Sequence, residues 1–129
     1  MSPPFPRNQK LAEKVMRRLN RTLRGREHDG LKVVALLHYG AVDIDPRHLV
    51  VWILLGGKPD DQIPAWLRVS PLLIESLRPT TIDYTWLLAL RSEVQGAFRA
   101  ARWADLDNIA VMVDSEHRVA TSGFDYFRG

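Results

Sequence analysis

Two short apolar segments, LKVVALLH at 31–38 and LVVWILL at 49–55, limit the folds open to this chain more than any other feature. Both are rich in β-branched residues and too short for a typical helix, which favours strands. Between them Pro46 follows Asp45, the pair preferred at the start of a type I turn. We therefore predict a β-hairpin that reverses in a four-residue turn at Asp45–His48, with both strands continuing up to that turn.

This turn also separates the histidines and aspartates of the segment HYGAVDIDPRH at 38–48, residue types common in metal and acid–base sites. Counting outward from the turn pairs His38 with Leu55 and leaves His48 at the tip. At about 3.3 Å per strand residue, His38 then lies roughly 23 Å from Asp45. Zinc holds its nitrogen ligands at about 2 Å. We therefore expect turn chemistry here, with no catalytic residue, no metal and no cofactor.

In this register both faces of the hairpin are apolar. One face carries Val42, Ile44, Leu49, Val51, Ile53 and Leu55, and the other carries Tyr39, Ala41, Val50, Trp52 and Leu54. A sheet with one face in water alternates apolar and polar residues. We therefore expect helices of the same chain to cover both faces. The alternative is that a second copy or a partner protein covers one of them.

Two helices are predicted from apolar residues at helical spacing. The first spans Asn8–Leu23 and ends before Gly25. The second begins at a capping Thr80 and runs to about Arg102. Within it Gly96 weakens the helix, and we interpret this glycine as the mark of a close contact with another element.

The remaining segments complete an α+β prediction. NIAVMV at 108–113 and HRVATS at 117–122 are interpreted as a second hairpin that turns at DSEH. Residues 1–6 are predicted as an extended lead-in, and residues 62–79 as irregular with a short helix starting at Ser70-Pro71. The prediction is a single domain over 1–129: a two-layer, mainly antiparallel sheet of two hairpins, packed against a basic amphipathic N-terminal helix and a long central helix.

The net charge of +3 conceals an uneven distribution. Residues 1–26 contain eight of the 18 Lys and Arg residues but only one of the 15 acids, Glu13. Seven of these basic residues lie on or beside the first predicted helix: Arg7, Lys10, Lys14, Arg17, Arg18, Arg21 and Arg24. Such a helix attracts a polyanion or an acidic protein surface.

Several functional classes find no support in the sequence. Cysteine is absent, which excludes disulfides, thiolate zinc sites and cysteine nucleophiles. The chain contains no G-x-S-x-G, G-x-G-x-x-G, phosphate-loop or H-E-x-x-H motif. The first ten residues lack the apolar core of a secretory signal, and the apolar run Leu49–Leu55 is far shorter than the about 20 residues that span a bilayer. We therefore expect a cytoplasmic protein without a transmembrane segment.

The leading hypothesis is a small non-catalytic interaction protein. It binds a protein partner, or itself as a homodimer, through the apolar sheet and an aromatic tail, helped by the basic helix. Its interaction residues are the seven basic residues named above together with Trp52, Phe124, Tyr126 and Phe127. One alternative is nucleic-acid binding by the basic helix, although that helix lacks interleaved aromatics. Another is a small enzyme or ligand-binding domain that uses the 38–48 segment.

Overall fold

The computed structural model describes residues 7–71 and 82–122. They form α1 (Arg7–Leu23), β1 (Glu27–His28), β2 (Leu31–Tyr39), β3 (Val50–Gly56), β4 (Leu67–Arg68), α2 (Tyr84–Ala100), β5 (Ala110–Ser115) and α3 (Glu116–Ser122), with 3₁₀ turns at Pro46–His48 and Asp60–Gln62. Several predictions lie outside the described residues: the lead-in at 1–6, the capping Thr80, the short helix after Pro71, and the tail residues Phe124, Tyr126 and Phe127.

The five strands form one sheet in the order β1-β2-β3-β5-β4. All neighbouring strands are antiparallel except β3 and β5, which run parallel. The predicted α+β class and mainly antiparallel sheet are therefore confirmed, and the parallel pair makes the sheet mixed. No helix within 7–71 and 82–122 is long and apolar enough to cross a membrane.

The first hairpin is present, but its predicted register is wrong. Tyr39 lies opposite Val50 and His38 opposite Val51, so His38 does not face Leu55. The predicted turn does form, because the His48 amide donates to the Asp45 carbonyl at 3.0 Å. The strands stop short of it because the chain turns away at Gly40, where φ is +118°. A Cβ there would lie 1.9 Å from the carbonyl oxygen of His48, so only glycine fits this approach.

The second predicted hairpin is wrong. Its first strand is β5, but residues predicted as its second strand form α3. The amide of Arg118 donates to the Ser115 hydroxyl at 3.3 Å, as in a helix N-cap, and Glu116 in the first turn suits the helix dipole. The segment DSEH therefore starts a helix. The chain reaches β5 after crossing over through α2, which permits parallel pairing with β3.

α1 and α2 contribute to the main core on one side of the sheet. α1 buries Ala12, Val15, Met16, Leu19 and Leu23, and α2 buries Leu87, Leu90, Val94 and Phe98. They join Val51, Ile53, Val111 and Val113 of the sheet in one cluster. The apolar stripes predicted for both helices are confirmed.

The other side of the sheet is covered by a different part of the chain. Trp52 and Leu54 point to this side and are only 3% and 4% exposed. The ring of Trp66 meets that of Trp52 edge-on at 5.1 Å, and α3 contacts β3 and β5. Both faces of β3 are therefore covered within the chain, as expected from the sequence. The prediction that Ile44 lies on one of these faces is wrong, because Ile44 lies outside the strands and is 81% exposed.

Two features of α2 differ from the prediction. Asp83 is the N-cap, and its carboxylate accepts the Thr85 amide at 3.0 Å. At Gly96 an added Cβ would meet no atom of residues 7–71 or 82–122 within 4 Å. The predicted close contact at Gly96 is therefore wrong, and α2 leaves open space at this position.

Candidate interaction surface

The basic face of α1 is exposed and carries almost no compensating charge. Arg7, Lys10, Lys14, Arg17, Arg18 and Arg21 on the helix and Arg24 just after it are all exposed. None of the seven forms an ion pair with a residue of the described ranges. Arg26, by contrast, pairs with Glu93 of α2. The result is a cationic surface along a helix of about 25 Å, which attracts anionic groups.

A solvent-facing groove of about 540 Å³ lies between α1 and α2. Three basic side chains of α1 form one edge, and apolar side chains of both helices form the floor. We call this the basic groove, and its lining residues are Leu11, Lys14, Val15, Arg18, Arg21, Ala97, Ala100 and Ala101. The groove stays open because α2 presents only methyl groups to it.

Two shallower depressions extend the basic groove. One of about 300 Å³ shares Arg18, Ala97 and Ala100 with it and reaches Gly96. The other, of about 310 Å³, is lined by Asn20, Arg21 and Arg24. The Arg26–Glu93 ion pair borders the first depression and joins the two helices. Cationic and apolar surface therefore lie side by side along most of α1.

The structure divides the interaction residues predicted from the sequence. Lys14, Arg18 and Arg21 line the basic groove, and Arg24 lines an adjoining depression. The other three basic residues, Arg7, Lys10 and Arg17, are exposed but do not line the groove. Trp52 is buried on the opposite side of the sheet, so it shares no surface with α1.

The loop after β2 positions α1. Asp43 accepts hydrogen bonds from the backbone amides of Asn8 and Gln9, both at 3.0 Å. The Asn8 side chain donates to the Val42 carbonyl at 2.9 Å. The two bonds to Asp43 satisfy amides that the first turn of a helix leaves unpaired. A carboxylate that looks like a catalytic candidate in the sequence is therefore the tertiary cap of the basic helix.

Other polar groups of the 38–48 segment also have structural partners. The Arg47 side chain donates to Asp45, and this bond, with one from the Arg47 amide, lowers the pKa of Asp45 to about 2. His48 Nδ1 lies 3.3 Å from the carbonyl oxygen of Ala41. Burial lowers the pKa of His38. Asp43, Asp45 and His48 each contact a different part of the structure, so these side chains stabilise the loop.

Sequence reasoning missed a polar cluster that joins the Asp60–Gln62 turn to α3. Asp114 is fully buried and accepts hydrogen bonds from the Arg118 guanidinium at 2.6 Å and the Trp66 amide at 3.1 Å. The Ser115 hydroxyl donates to Asp60, whose other oxygen lies 2.7 Å from His117 Nδ1. The spacing of Asp114 and Arg118, four residues apart across the start of α3, was the only local signal.

This cluster has the residue types of a catalytic triad in the wrong order. In a triad the histidine lies between serine and aspartate and takes the serine proton. Here Asp60 lies between Ser115 and His117. The serine and histidine bonds lower the pKa of Asp60, and the same carboxylate raises the pKa of His117. The arrangement therefore fastens α3 to the turn and does not activate Ser115.

His28, Asp29 and Asp83 bring their ligand atoms within 4.8 Å of one another. Asp83 caps α2 with one oxygen, and its other oxygen lies 3.0 Å from His28 Nε2. The imidazole also stacks on Trp86 with ring centroids 5.3 Å apart. Helix capping and stacking account for Asp83 and His28, and Asp29 lies 3.3 Å from the same His28 Nε2 on the exposed side.

No family model, curated protein or solved structure matches this chain in the three comparisons.

Proposed function

We propose that this chain is a non-catalytic interaction protein that binds an acidic segment of a partner protein through the basic face of α1. One observation carries the proposal: seven exposed basic side chains lack an ion-pair partner in the described ranges, and three of them border an apolar groove. An apolar centre with a polar rim is the usual composition of a protein–protein interface.

The composition of α1 favours a protein partner over a nucleic acid. Proteins that bind single-stranded RNA or DNA stack bases on aromatic side chains, and α1 has no aromatic residue. The apolar floor of the basic groove offers phosphates no hydrogen-bond donor. A peptide that carries both apolar and acidic side chains matches both parts of this surface.

Burial of the sheet by this chain also favours the helical side as the binding surface. The sequence hypothesis placed the partner on the apolar sheet, with Trp52 as an interaction residue. Because Trp52 and Leu54 are almost fully buried by this chain, they offer little area to a partner. The helical side combines exposure, charge and a groove, so it is the better candidate.

The proposal predicts which ligand the protein binds most tightly at moderate salt concentration. The probe is a fluorescent peptide of about 20 residues made of Glu, Leu and Ala with its acids along one side, a length that sustains a helix. Its competitors are duplex DNA and single-stranded RNA of similar length. Part of the affinity for the peptide comes from apolar contact, which releases no counterions, whereas phosphate binding depends on counterion release and weakens steeply with salt. At about 150 mM salt we therefore expect anisotropy to show tighter binding to the peptide than to either nucleic acid.

The control is a variant in which all seven basic residues are replaced by Gln, with helix content checked by circular dichroism. We expect this variant to lose peptide binding while staying folded. Tighter binding of wild-type protein to DNA or RNA at this salt concentration would favour the nucleic-acid alternative. Absence of binding to peptides of this composition in any sequence order would refute the proposal.

A further inference from the structure

We infer that the basic groove accepts an amphipathic α-helix of the partner, laid along α1 with its acidic side chains against Lys14, Arg18 and Arg21. This inference rests on the proposed function. It adds the conformation of the bound segment and the position of its charges.

The backbone of the partner provides the first argument. The floor of the groove is formed by side chains such as Leu11, Val15 and Ala97, and none of the strands in the described ranges lines it. An extended peptide laid there would lose water from its amides and carbonyls without gaining hydrogen-bond partners. A helix satisfies its own backbone groups and offers an apolar stripe to the floor.

The shape of the groove provides the second argument. The α2 side of the groove consists of Ala97, Ala100 and Ala101. Gly96 lines the adjoining depression, where an added Cβ would meet no atom of the described residues within 4 Å. Helices pack with axes about 8–10 Å apart, and small residues at the contact permit the closest approach. A third helix can therefore settle between α1 and α2.

The charges provide the third argument, because they lie on one edge only. Lys14, Arg18 and Arg21 are spaced i, i+4 and i+7, so they occupy one side of α1 over about 10 Å, or two turns. On the α2 side, Glu93 is already paired with Arg26. A partner helix that matches this surface has an apolar stripe on the face that contacts the groove. It has acidic residues at i, i+4 and i+7 along one side of that stripe.

Two peptides of identical composition test the helix directly. Both contain about 20 residues of Glu, Leu and Ala. One places the acids along one flank of an apolar stripe, and the other scrambles the order. We expect the patterned peptide to bind about tenfold more tightly at about 150 mM salt. Equal affinities would overturn the helix inference and leave the proposed function standing, whereas binding of neither peptide would overturn the proposed function itself.

Matched variants test the position of the charges. Lys14→Gln, Arg18→Gln and Arg21→Gln together remove three charges from the groove edge. Arg7→Gln, Lys10→Gln and Arg17→Gln together remove three charges from elsewhere on α1. We expect the groove triple to weaken binding of the patterned peptide about tenfold, the sum of three exposed ion pairs, and the control triple about twofold. Equal weakening would show that only net charge matters and would overturn the inference.

Filling the groove tests its shape without changing the charge. Ala100 is exposed and lines the groove, so Ala100→Trp adds an indole there without entering the core. We expect this variant to keep its melting temperature and to lose at least about tenfold in affinity for the patterned peptide. A folded Ala100→Trp protein that binds as tightly as wild type would contradict docking in the groove.

Discussion

At the scale of single residues, polar side chains decide where the basic helix lies. Asp43 holds its first turn through the amides of Asn8 and Gln9. Further along, Asn20 accepts the Leu36 amide and donates to the Leu36 carbonyl, both at 2.9 Å. Leu36 lies beyond the two residues of β2 that pair with β1, so Asn20 covers an otherwise open strand edge. These two side chains hold α1 to the loop after β2 and to the edge of β2, while its buried apolar stripe sets the exposed face.

The cap at Asp43 makes a stability prediction. Asp43→Ala removes the acceptor of two helix amides, and lost caps cost about 1 kcal/mol. We expect the free energy of unfolding, measured by urea denaturation, to fall by about that amount. The control, Asp61→Ala, removes the same charge from an exposed residue whose side chain has no hydrogen bond in the described ranges, and we expect a change within about 0.5 kcal/mol. Equal losses in the two variants would contradict the capping role of Asp43.

Sequence reasoning reached only part of this residue-scale picture. The turn at Asp45–His48 is correct because it depends on neighbours in sequence. The role of Asp43 was out of reach because its partners lie 34 and 35 residues away. For the same reason the link between Asp60 and α3 gave no signal, since it spans more than 50 residues.

At the scale of elements, α2 combines a well-packed face with an open one. Leu87, Leu90, Val94 and Phe98 are buried in the core. Ala100 lines the basic groove, and Gly96 lines the depression beside it. Apolar stripes were predicted correctly because helical period is a local property of the sequence. Whether residues after Ser115 form a strand or a helix was predicted wrongly, because a turn and an N-cap use the same residue types.

The open space at Gly96 makes an element-scale prediction. Gly96→Ala adds a methyl group that meets no atom within 4 Å in the part of the chain that the structure describes, and it removes the entropic cost of glycine in a helix. We expect the free energy of unfolding to rise by about 0.5–1 kcal/mol in urea denaturation. Ala97→Gly at the next position is the opposite control and is expected to lower it by at least as much. A loss of stability in Gly96→Ala would mean that the space is occupied.

At the scale of the whole molecule, the sheet separates two unlike surfaces. The helical side exposes the cationic face of α1 and the basic groove, and the other side carries Trp52 and the Asp60–α3 cluster. The basic side of the groove was predictable, because the clustering of Lys and Arg can be seen in the sequence itself. The α2 half was not predictable, because small residues in a helix indicate a groove only once the neighbouring helix is known. Trp52 was grouped with the basic helix because the sequence does not assign the sides of a sheet.

The most direct test of the central claim is to locate the bound acidic peptide on the protein. Backbone amide shifts of ¹⁵N-labelled protein are followed by two-dimensional NMR as the patterned peptide is added. We predict the largest changes at Leu11–Arg21 and Gly96–Ala101, with little change at Ala110–Ser122. Changes concentrated around Trp52 and Ala110–Ser122, with α1 unaffected, would contradict the account.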